Sequence, residues 1–237
     1  MINIKIQKMK IRNIAPDYWR IPHFSKEISN MTHDDIELDT PMQFPFECFI
    51  QEKIDGANMG ISWTDGPILR NRSHILKKGY TKIKTPAKMQ FTSAWNWIHK
   101  HEDDIKIISE LCYSPITIYG EWMFAKHSLY YDKIPDLFIA YDIWSAEDYE
   151  FLSPEVVEEL LSKTNIKYIK PIKLKINSIS DIVEWSEKNS DYRNGIREGI
   201  VIKTSSGRFV NKSFKVVNKY FERSGDFNDK LIKNKLI

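Results

Sequence analysis

QEKIDGAN, residues 51–58, places one lysine, Lys53, directly between an apolar run and a glycine turn. The apolar run, residues 46–50, contains aromatic and β-branched side chains and predicts a buried strand. Asp55 and Gly56 form a dipeptide that favours a reversal of the chain. Lys53 should therefore lie at the exit of a strand, and we consider it the candidate nucleophile of an enzyme.

A nucleophilic Lys53 requires neighbours that lower its pKa. An unperturbed lysine has a pKa near ~10.4, so a covalent role requires burial, nearby cations or a bound metal to lower that pKa. The hypothesis predicts that other cations and carboxylates converge on Lys53. The alternative is an ordinary solvated lysine at a strand end, and these eight residues alone do not exclude it.

The composition is that of an ordinary globular protein. The chain has 237 residues, of which 42% are hydrophobic and 28% are charged. These values predict one mixed α/β domain over residues 1–237. The formal net charge of +3 is too small to identify a nucleic-acid-binding protein, although the 35 lysines and arginines could still form a local basic face.

The two cysteines, Cys48 and Cys112, have neither metal-ligand spacing nor the density of a disulfide scaffold. They indicate a reducing compartment. No apolar run reaches the roughly 18 residues of a membrane span, and the first residues lack the long apolar core of a signal peptide. We therefore expect a cytoplasmic protein without a membrane segment.

Hydrophobic patterns predict sheets with flanking helices. Residues 1–45 are interpreted as a lead-in segment with one strand at 2–11, and residues 64–66, Thr-Asp-Gly, as a hairpin turn. Trp95 and Trp97 are assigned to helix packing rather than base stacking. The other predicted strands are 59–63, 67–72, 117–122, 137–144, 197–203 and 209–217, and the predicted helices lie within 88–111, at 154–163 and after Ser180.

The chain carries several motifs in a fixed order. Together they resemble the nucleotidyltransferase motifs of ATP-dependent polynucleotide ligases, and most closely those of the RNA ligase 2-like family. The resemblance covers roughly residues 20 to 222. The motifs are Lys53-Ile-Asp-Gly-Ala-Asn58, Arg72, Tyr119-Gly-Glu-Trp122, Phe138 to Ile143, Glu198-Gly-Ile-Val-Ile-Lys203 and Lys215.

The resemblance implies an α+β fold, the nucleotidyltransferase core of a ligase, with antiparallel sheets, flanking helices and a central nucleotide cleft. It also implies an ATP-dependent RNA ligase, in which Lys53 attacks the α-phosphorus of ATP and forms a lysyl-AMP intermediate. The AMP then passes to an RNA 5′-phosphate, and a 3′-hydroxyl seals the strand. The expected partners are RNA strand ends or a nicked duplex, and the expected protein is a monomer.

Roles in nucleotide binding follow from the same resemblance. Phe138 should stack on the adenine, and Glu52 should help to recognise the base. Glu121 should hold the ribose hydroxyls, a task that suits a carboxylate because it accepts two hydrogen bonds. Asp55 and Gly56 complete this part of the first motif.

The resemblance assigns a second group of side chains to binding of the phosphates and the metal. Lys203 and Lys215 should contact the α-phosphate and lower the pKa of Lys53. Glu198 should bind Mg²⁺ or Mn²⁺, because such ions prefer oxygen ligands. The positioning of the phosphates is assigned to Asn58 and Arg72, and Asn58 could also act on the activated strand end.

Two departures from the family pattern leave alternatives open. The last motif offers both Lys212 and Lys215; the residues that follow favour Lys215, and Lys212 is the reserve. Residues 223–237 are expected to form a short tail, with at most one short helix in 229–237 and no OB-fold or separate C-terminal domain.

That tail argues against a full DNA ligase or a capping enzyme. The remaining alternatives are a ligase for DNA or mixed RNA-DNA nicks, which would differ in how it reads ribose 2′-hydroxyls, and an inactive module that binds nucleotide or RNA.

Overall fold

A computed structural model describes residues 14–72, 74–77, 89–223 and 231–237. The predicted strand at 2–11 lies outside these residues. The described chain has the predicted α+β fold. It contains strands β1 (Phe46–Lys53), β2 (Ala57–Trp63), β3 (Pro67–Asn71), β4 (Ile75–Leu76), β5 (Ile116–Trp122), β6 (Phe138–Ser145), β7 (Glu150–Phe151), β8 (Ile172–Ile176), β9 (Gly199–Ser206) and β10 (Phe209–Val217), and helices α1 (Ala94–Lys100), α2 (Glu102–Cys112), α3 (Pro154–Leu161) and α4 (Ile179–Ser186).

The strands form two antiparallel sheets. Sheet A has the order β10-β9-β1-β8, and sheet B has the order β4-β3-β2-β5-β6-β7. The turn at residues 54–56 carries the chain from β1 in sheet A to β2 in sheet B. The predicted reversal at Asp55 and Gly56 is therefore the crossing between the two sheets, and it leaves Lys53 at their junction.

Helices α1, α2 and α3 cover sheet B with an apolar core, whereas α4 packs against sheet A. Trp97 and Phe138 lie in this core, with Ile61, Ile105 and Leu161 fully buried around them. Burial of each such side chain stabilises the fold by about 1.5–3 kcal/mol. Helix α3 begins at the predicted Pro154, whose fixed φ suits the first helical position. None of the helices in the described residues could span a membrane.

The lead-in segment extends sheet A. The backbone N–H of Lys215 donates to Pro22, and the N–H of Phe24 donates to the carbonyl of Lys215, both at 2.9 Å. Phe24 then packs against Phe214 with 5.3 Å between ring centroids. Residues 22–24 are therefore paired along the outer edge of β10.

The C-terminal residues 231–237 are extended, which agrees with the expectation of at most one short helix; residues 229 and 230 are not described. Lys233 pairs with Ala125, and Leu236 pairs with Ile134. Asn234 holds the segment in this conformation, because its side chain hydrogen-bonds the backbone of residues 123, 125 and 131. Pairing with a neighbouring segment satisfies backbone groups that a helix would have satisfied internally.

Candidate active site

A cleft of about 590 Å³ lies between the two sheets, a volume typical of small-molecule sites. It brings together every sequence-predicted site residue except Phe138. Sheet A and its extensions supply one wall, and the 54–58 segment and sheet B supply the other. The predicted residues that line it are Glu52, Lys53, Asp55, Gly56, Asn58, Arg72, Glu121, Glu198, Lys203 and Lys215.

Lys53 and Glu198 form an ion pair at the centre of the cleft. Lys53 lies opposite Gly199 in the antiparallel register, which puts the preceding Glu198 beside it. The Lys53 Nζ to Glu198 Oε1 distance is 2.6 Å, and the Lys53 side chain is 25% exposed. The predicted convergence of charges on Lys53 is therefore present.

The pKa of Lys53 shifts in the direction opposite to the one expected. Burial by itself lowers the pKa of an amine, but the carboxylates of Glu198, Asp55 and Glu121 outweigh it and raise the pKa of Lys53. The expectation that cationic neighbours hold this pKa down is wrong for this structure. The ammonium form of Lys53 is favoured until the negative charge around it is neutralised.

Glu198 has a free oxygen that suits a divalent cation. Its side chain is 5% exposed, and burial raises its pKa although Lys53 opposes the shift. Within the described residues, Oε2 of Glu198 has no hydrogen-bond partner. No group of three or more His, Cys, Asp or Glu suitable for a metal occurs in that part of the chain. A single carboxylate fits an ion that keeps several water ligands, as Mg²⁺ does.

Lys203 does not offer its ammonium to a phosphate in this conformation, which contradicts its predicted contact. The side chain is 2% exposed, and Nζ donates to Gln51 Oε1 and Asp142 Oδ1 at 2.7 Å and to the carbonyl of Tyr141 at 3.3 Å. These three acceptors use all three N–H groups of the ammonium. Lys203 therefore links β9 of sheet A to β6 of sheet B.

Lys215, rather than Lys212, occupies the last motif position in the cleft. Its Nζ lies 3.3 Å from Oδ1 of Asp35, and Lys212 does not line the cleft. Burial lowers the pKa of Lys215; the charge of Lys53 adds to the shift and Asp35 opposes it. Both lysines belong to one regular stretch of β10, paired with Thr204 and Val201 of β9. Because they are three residues apart, their side chains point to opposite faces of the sheet.

Glu121 and Gly56 meet across the sheet junction. The backbone N–H of Gly56 donates to Glu121 Oε1 at 3.1 Å. A Cβ atom at Gly56 would lie 2.9 Å from Cγ of Glu121 and from the carbonyl oxygen of Trp122, so only glycine allows this approach. Burial raises the pKa of Glu121 to about 8 although Lys53 opposes the shift. Asp55 accepts hydrogen bonds from Ser128 and Leu129 and thereby fixes the neighbouring loop.

The hydrogen bonds made within the protein differ among three residues of the cleft, Glu52, Asn58 and Arg72. Glu52 accepts from Ser190 Oγ at 2.5 Å and from the backbone N–H of Asp191 at 2.9 Å. In the described chain, Oδ1 of Asn58 has no hydrogen-bond partner. The backbone carbonyl of Arg72 accepts from Arg70. Asn58 thus keeps a side-chain acceptor for a ligand, whereas Glu52 also holds the 190–191 loop.

The assignment of Phe138 to adenine stacking is wrong. Its side chain is fully buried, 5.0 Å from the ring of Trp97, and its ring covers Gly120, where a Cβ atom would lie only 2.5 Å away. A core aromatic and a stacking aromatic have the same sequence signature. Sequence reasoning therefore could not separate Phe138 from the other aromatic of the motif, Tyr141.

Tyr141 is the aromatic of this motif that lines the cleft. Ala140 pairs with Gly120 and Asp142 pairs with Tyr119, so Tyr141 is the extra residue of a β-bulge. The bulge lets two consecutive side chains, those of Tyr141 and Asp142, contact cleft residues. Asn58 Nδ2 donates to the Tyr141 hydroxyl at 2.6 Å.

Comparisons with known proteins agree with this architecture. A family model described as RNA ligase matches residues 46–220. A variant of the Naegleria gruberi RNA ligase with ATP and Mn superposes with a TM-score of 0.56 and 18% identity, over 73% of this chain and 50% of that chain. The same RNA ligase with PPi gives a TM-score of 0.52 and 20% identity, over 73% and 49%. No curated protein matches. The chain spans about half of those solved chains, and the likeness shows the fold.

Proposed function

Because the chain belongs to the RNA ligase family, we propose that it is an ATP-dependent RNA ligase and that Lys53 is its nucleophile. The observation that carries the proposal is the convergence of Lys53, Glu198, Glu121 and Lys215 in one cleft between the sheets. One amine can attack a phosphorus atom, a second amine can stabilise the negative charge that develops, and the carboxylates can bind a metal ion and hydroxyl groups. Similar folds have been seen with ATP and Mn.

The first step forms a bond between Lys53 Nζ and the α-phosphorus of ATP and breaks the bond to pyrophosphate. Lys53 must lose a proton before it attacks, and Oε1 of Glu198 is the nearest acceptor at 2.6 Å. Lys215, on the same side of the cleft, is placed to neutralise charge on the α-phosphate. Because carboxylates hold the pKa of Lys53 up, neutralising them is the requirement for attack.

A divalent cation fits the free oxygen of Glu198, with Mg²⁺ or Mn²⁺ as the candidates. Such an ion supplies positive charge that polarises phosphoryl oxygens and offsets nearby carboxylates. Glu198 is the protein ligand that we propose for it, with the remaining positions filled by water or phosphate.

The adenosine would occupy the part of the cleft next to sheet B. The Tyr141 ring offers a face for the adenine, and Glu121 offers a carboxylate for the ribose hydroxyls. Glu52 lies beside Lys53 and closes the wall, with the 190–191 loop held behind it. Lys203 acts on this arrangement through its bonds to Gln51 and Asp142 rather than through the phosphate.

In the later steps, AMP passes from Lys53 to the 5′-phosphate of an RNA strand, and the neighbouring 3′-hydroxyl displaces AMP. Asn58 and Arg72 line the cleft with polar groups that could meet the incoming strand. We propose RNA as the substrate on both sides of the joint, either as strand ends or within a nicked duplex.

The test is labelling of the purified protein with α-³²P-ATP and Mg²⁺, followed by a denaturing gel and acid treatment. We expect an acid-labile adduct with the wild-type protein and none with Lys53→Ala, because the phosphoramidate has no other site of attachment. Lys212→Ala, which changes a lysine outside the cleft, should retain the label. Labelled Lys53→Ala would remove Lys53 from its proposed role.

Sealing assays identify the nucleic acid. Nicked duplexes that carry either ribose or deoxyribose at the 3′ end should be joined in the ribose case if the protein reads the 2′-hydroxyl. Equal joining of both would instead support a ligase of mixed or DNA substrates. If folded protein is not already adenylylated and gives no adduct with ATP or GTP, a binding module is the better description.

A further inference from the structure

The segment of residues 22–38 lies outside the family match at 46–220. It nevertheless contacts Lys215, one of the lysines of the cleft. Pro22 and Phe24 bond the backbone of Lys215 on both sides. His23 in turn exchanges backbone hydrogen bonds with Ile36 and Leu38, at 2.7 and 2.8 Å. The backbone of this segment therefore connects β10 to the turn that carries Asp35.

Asp35 connects the same segment to the side chain of Lys215. Its Oδ1 lies 3.3 Å from Lys215 Nζ, and its Oδ2 lies 3.2 Å from Nη2 of Arg223, another residue of the cleft wall. The Asp35 side chain is 10% exposed. One carboxylate thus joins two cations that face the space between the sheets.

The carboxylate of Asp35 is itself held in place. Oδ2 accepts hydrogen bonds from the backbone N–H and the hydroxyl of Thr32, at 3.0 and 2.9 Å. These bonds and the charge of Lys215 lower the pKa of Asp35 well below its ordinary value, although burial acts in the opposite direction. Asp35 is therefore ionised at every pH at which the protein would work.

His23 lies next to Asp35, and its Nε2 has no hydrogen-bond partner of ordinary geometry in the described residues. The Ser29 hydroxyl accepts from the N–H of Val217 at 2.9 Å and lies 2.5 Å from Nδ1 of His23. Burial lowers the pKa of His23 to about 4, so the ring is neutral at physiological pH. If the Ser29 hydroxyl donates its proton to Nδ1, the ring proton remains on Nε2, which faces Oδ1 of Asp35 at 3.3 Å.

We propose that Asp35 is a positioning residue for adenylyl transfer, which fixes the ammonium of Lys215 at the phosphate side of the cleft. The inference rests on the proposed function. Asp35 does not touch the reacting atoms; it acts through Lys215. The other charged neighbours of Lys215 are Lys53, Glu198 and Arg223, and the neutral ring of His23 is its titratable neighbour. Displacement of a catalytic group by about 1 Å can cost roughly 100-fold in rate.

Two effects of Asp35 have opposite signs, which makes the proposal testable. A carboxylate at the phosphate side repels the triphosphate and weakens its binding, whereas fixing Lys215 accelerates the reaction. Asp35→Asn should therefore lower the rate constant for lysyl-AMP formation at saturating ATP by about 10- to 100-fold. The affinity for α,β-methylene-ATP, an analogue that cannot transfer AMP, should stay unchanged or become tighter.

The matched control is Asp39→Asn, which removes the same charge from an exposed residue four positions along the chain. Asp39 does not line the cleft, so this variant should react at the wild-type rate. Thermal unfolding of both variants shows whether the fold has changed.

An Asp35→Asn protein that reacts as fast as wild type would overturn the positioning role. A weaker affinity for the analogue would also overturn it, because Asp35 would then support the cleft or the nucleotide in general. If the wild-type protein forms no adduct, the proposed function fails and takes this inference with it; labelled wild type with an unaffected variant refutes the inference alone.

Discussion

At the scale of the residue, the surroundings of Lys53 oppose the deprotonation that the proposed reaction requires. Its amine must lose a proton to react, yet Glu198 lies 2.6 Å away and two further carboxylates raise its pKa. Carboxylates beside a nucleophilic amine are a disadvantage unless cations arrive with the substrate. If Lys53 is the nucleophile that we propose, it would therefore be unreactive until positive charge enters the cleft, and its reactivity would depend on a cation bound at Glu198.

The two aromatics of β6 should respond differently to truncation. Tyr141→Ala should weaken the binding of α,β-methylene-ATP by about 10- to 100-fold, since stacking of a base on an aromatic ring is worth roughly 1–3 kcal/mol. Phe138→Ala should instead lower the free energy of unfolding by about 3–5 kcal/mol, because it leaves a cavity in the core. Titration calorimetry and urea unfolding measure the two quantities. If Phe138→Ala lost affinity without losing stability, the assignment of these two rings would have to be reversed.

The sequence could identify the residues whose chemistry is tied to a local motif. Lys53, Glu121 and Glu198 each stand at a strand end or beside a glycine, and the structure brings them together. It could not identify Asp35 or Tyr141. Asp35 belongs to an irregular segment, and its partner Lys215 lies 180 positions away in the sequence. Tyr141 enters the cleft because of a β-bulge, and no residue type in the sequence predicts that bulge.

At the scale of the element, strands with an alternating apolar pattern were predictable, and the largely exposed edge strand β8 was not. β2, β3 and β10 follow alternation and turn signals, and they occur at the predicted places. β8 was missed because it is an edge strand, Ile172–Ile176, with largely exposed side chains that include Lys173 and Lys175. Charges on an edge strand prevent pairing with other molecules and also obscure the strand pattern.

The extended C-terminal segment provides a prediction at this scale. Asn234→Ala should lower the free energy of unfolding by about 2–4 kcal/mol, because it leaves the backbone groups of residues 123, 125 and 131 without their partner. Chemical denaturation checks the value. Lys235→Ala, which changes an exposed neighbour, is the control and should be neutral; equal stability of the two variants would mean that the segment contributes little to the fold.

At the scale of the whole molecule, the cleft concentrates buried charge between two sheets. Lys203 and Asp142 join the sheets through a pair whose side chains are 2% and 3% exposed. Glu52, Glu121 and Glu198 all have a raised pKa, with burial as the largest cause. Burial of these carboxyl groups therefore lowers the stability of the fold, and it keeps the groups at the cleft, where a ligand can contact them.

The pH dependence of stability should reveal this cost. Glu121 has a pKa of about 8 in the fold and 4.5 as an ordinary side chain, so the folded protein holds a proton that the unfolded chain releases between these values. The free energy of unfolding therefore falls as pH rises toward 8. Glu121→Gln removes this loss, and its Tm should exceed that of wild type by at least about 2–4 °C at pH 8, a difference that shrinks toward pH 5.

His23 contributes a slope of the opposite sign, because its pKa falls from 6.5 to about 4 on folding. Because His23 is present in both proteins and contributes equally to each, the comparison of Glu121→Gln with wild type between pH 7 and 8 isolates Glu121. The exposed Glu110→Gln serves as the control for loss of a carboxylate. A constant Tm difference across this range would show that Glu121 is ionised throughout.

The pairing of residues 22–38 with β10 also determines when the site can assemble. During synthesis on the ribosome, Asp35 emerges about 180 residues before Lys215, its partner. Contacts this distant in sequence form late in folding. A nascent chain can display Lys53 and Glu121 long before β10 exists, but it cannot assemble the phosphate side of the cleft. Under the proposed function, the ability to react with ATP would therefore arise late, when residues 22–38 pair with β10.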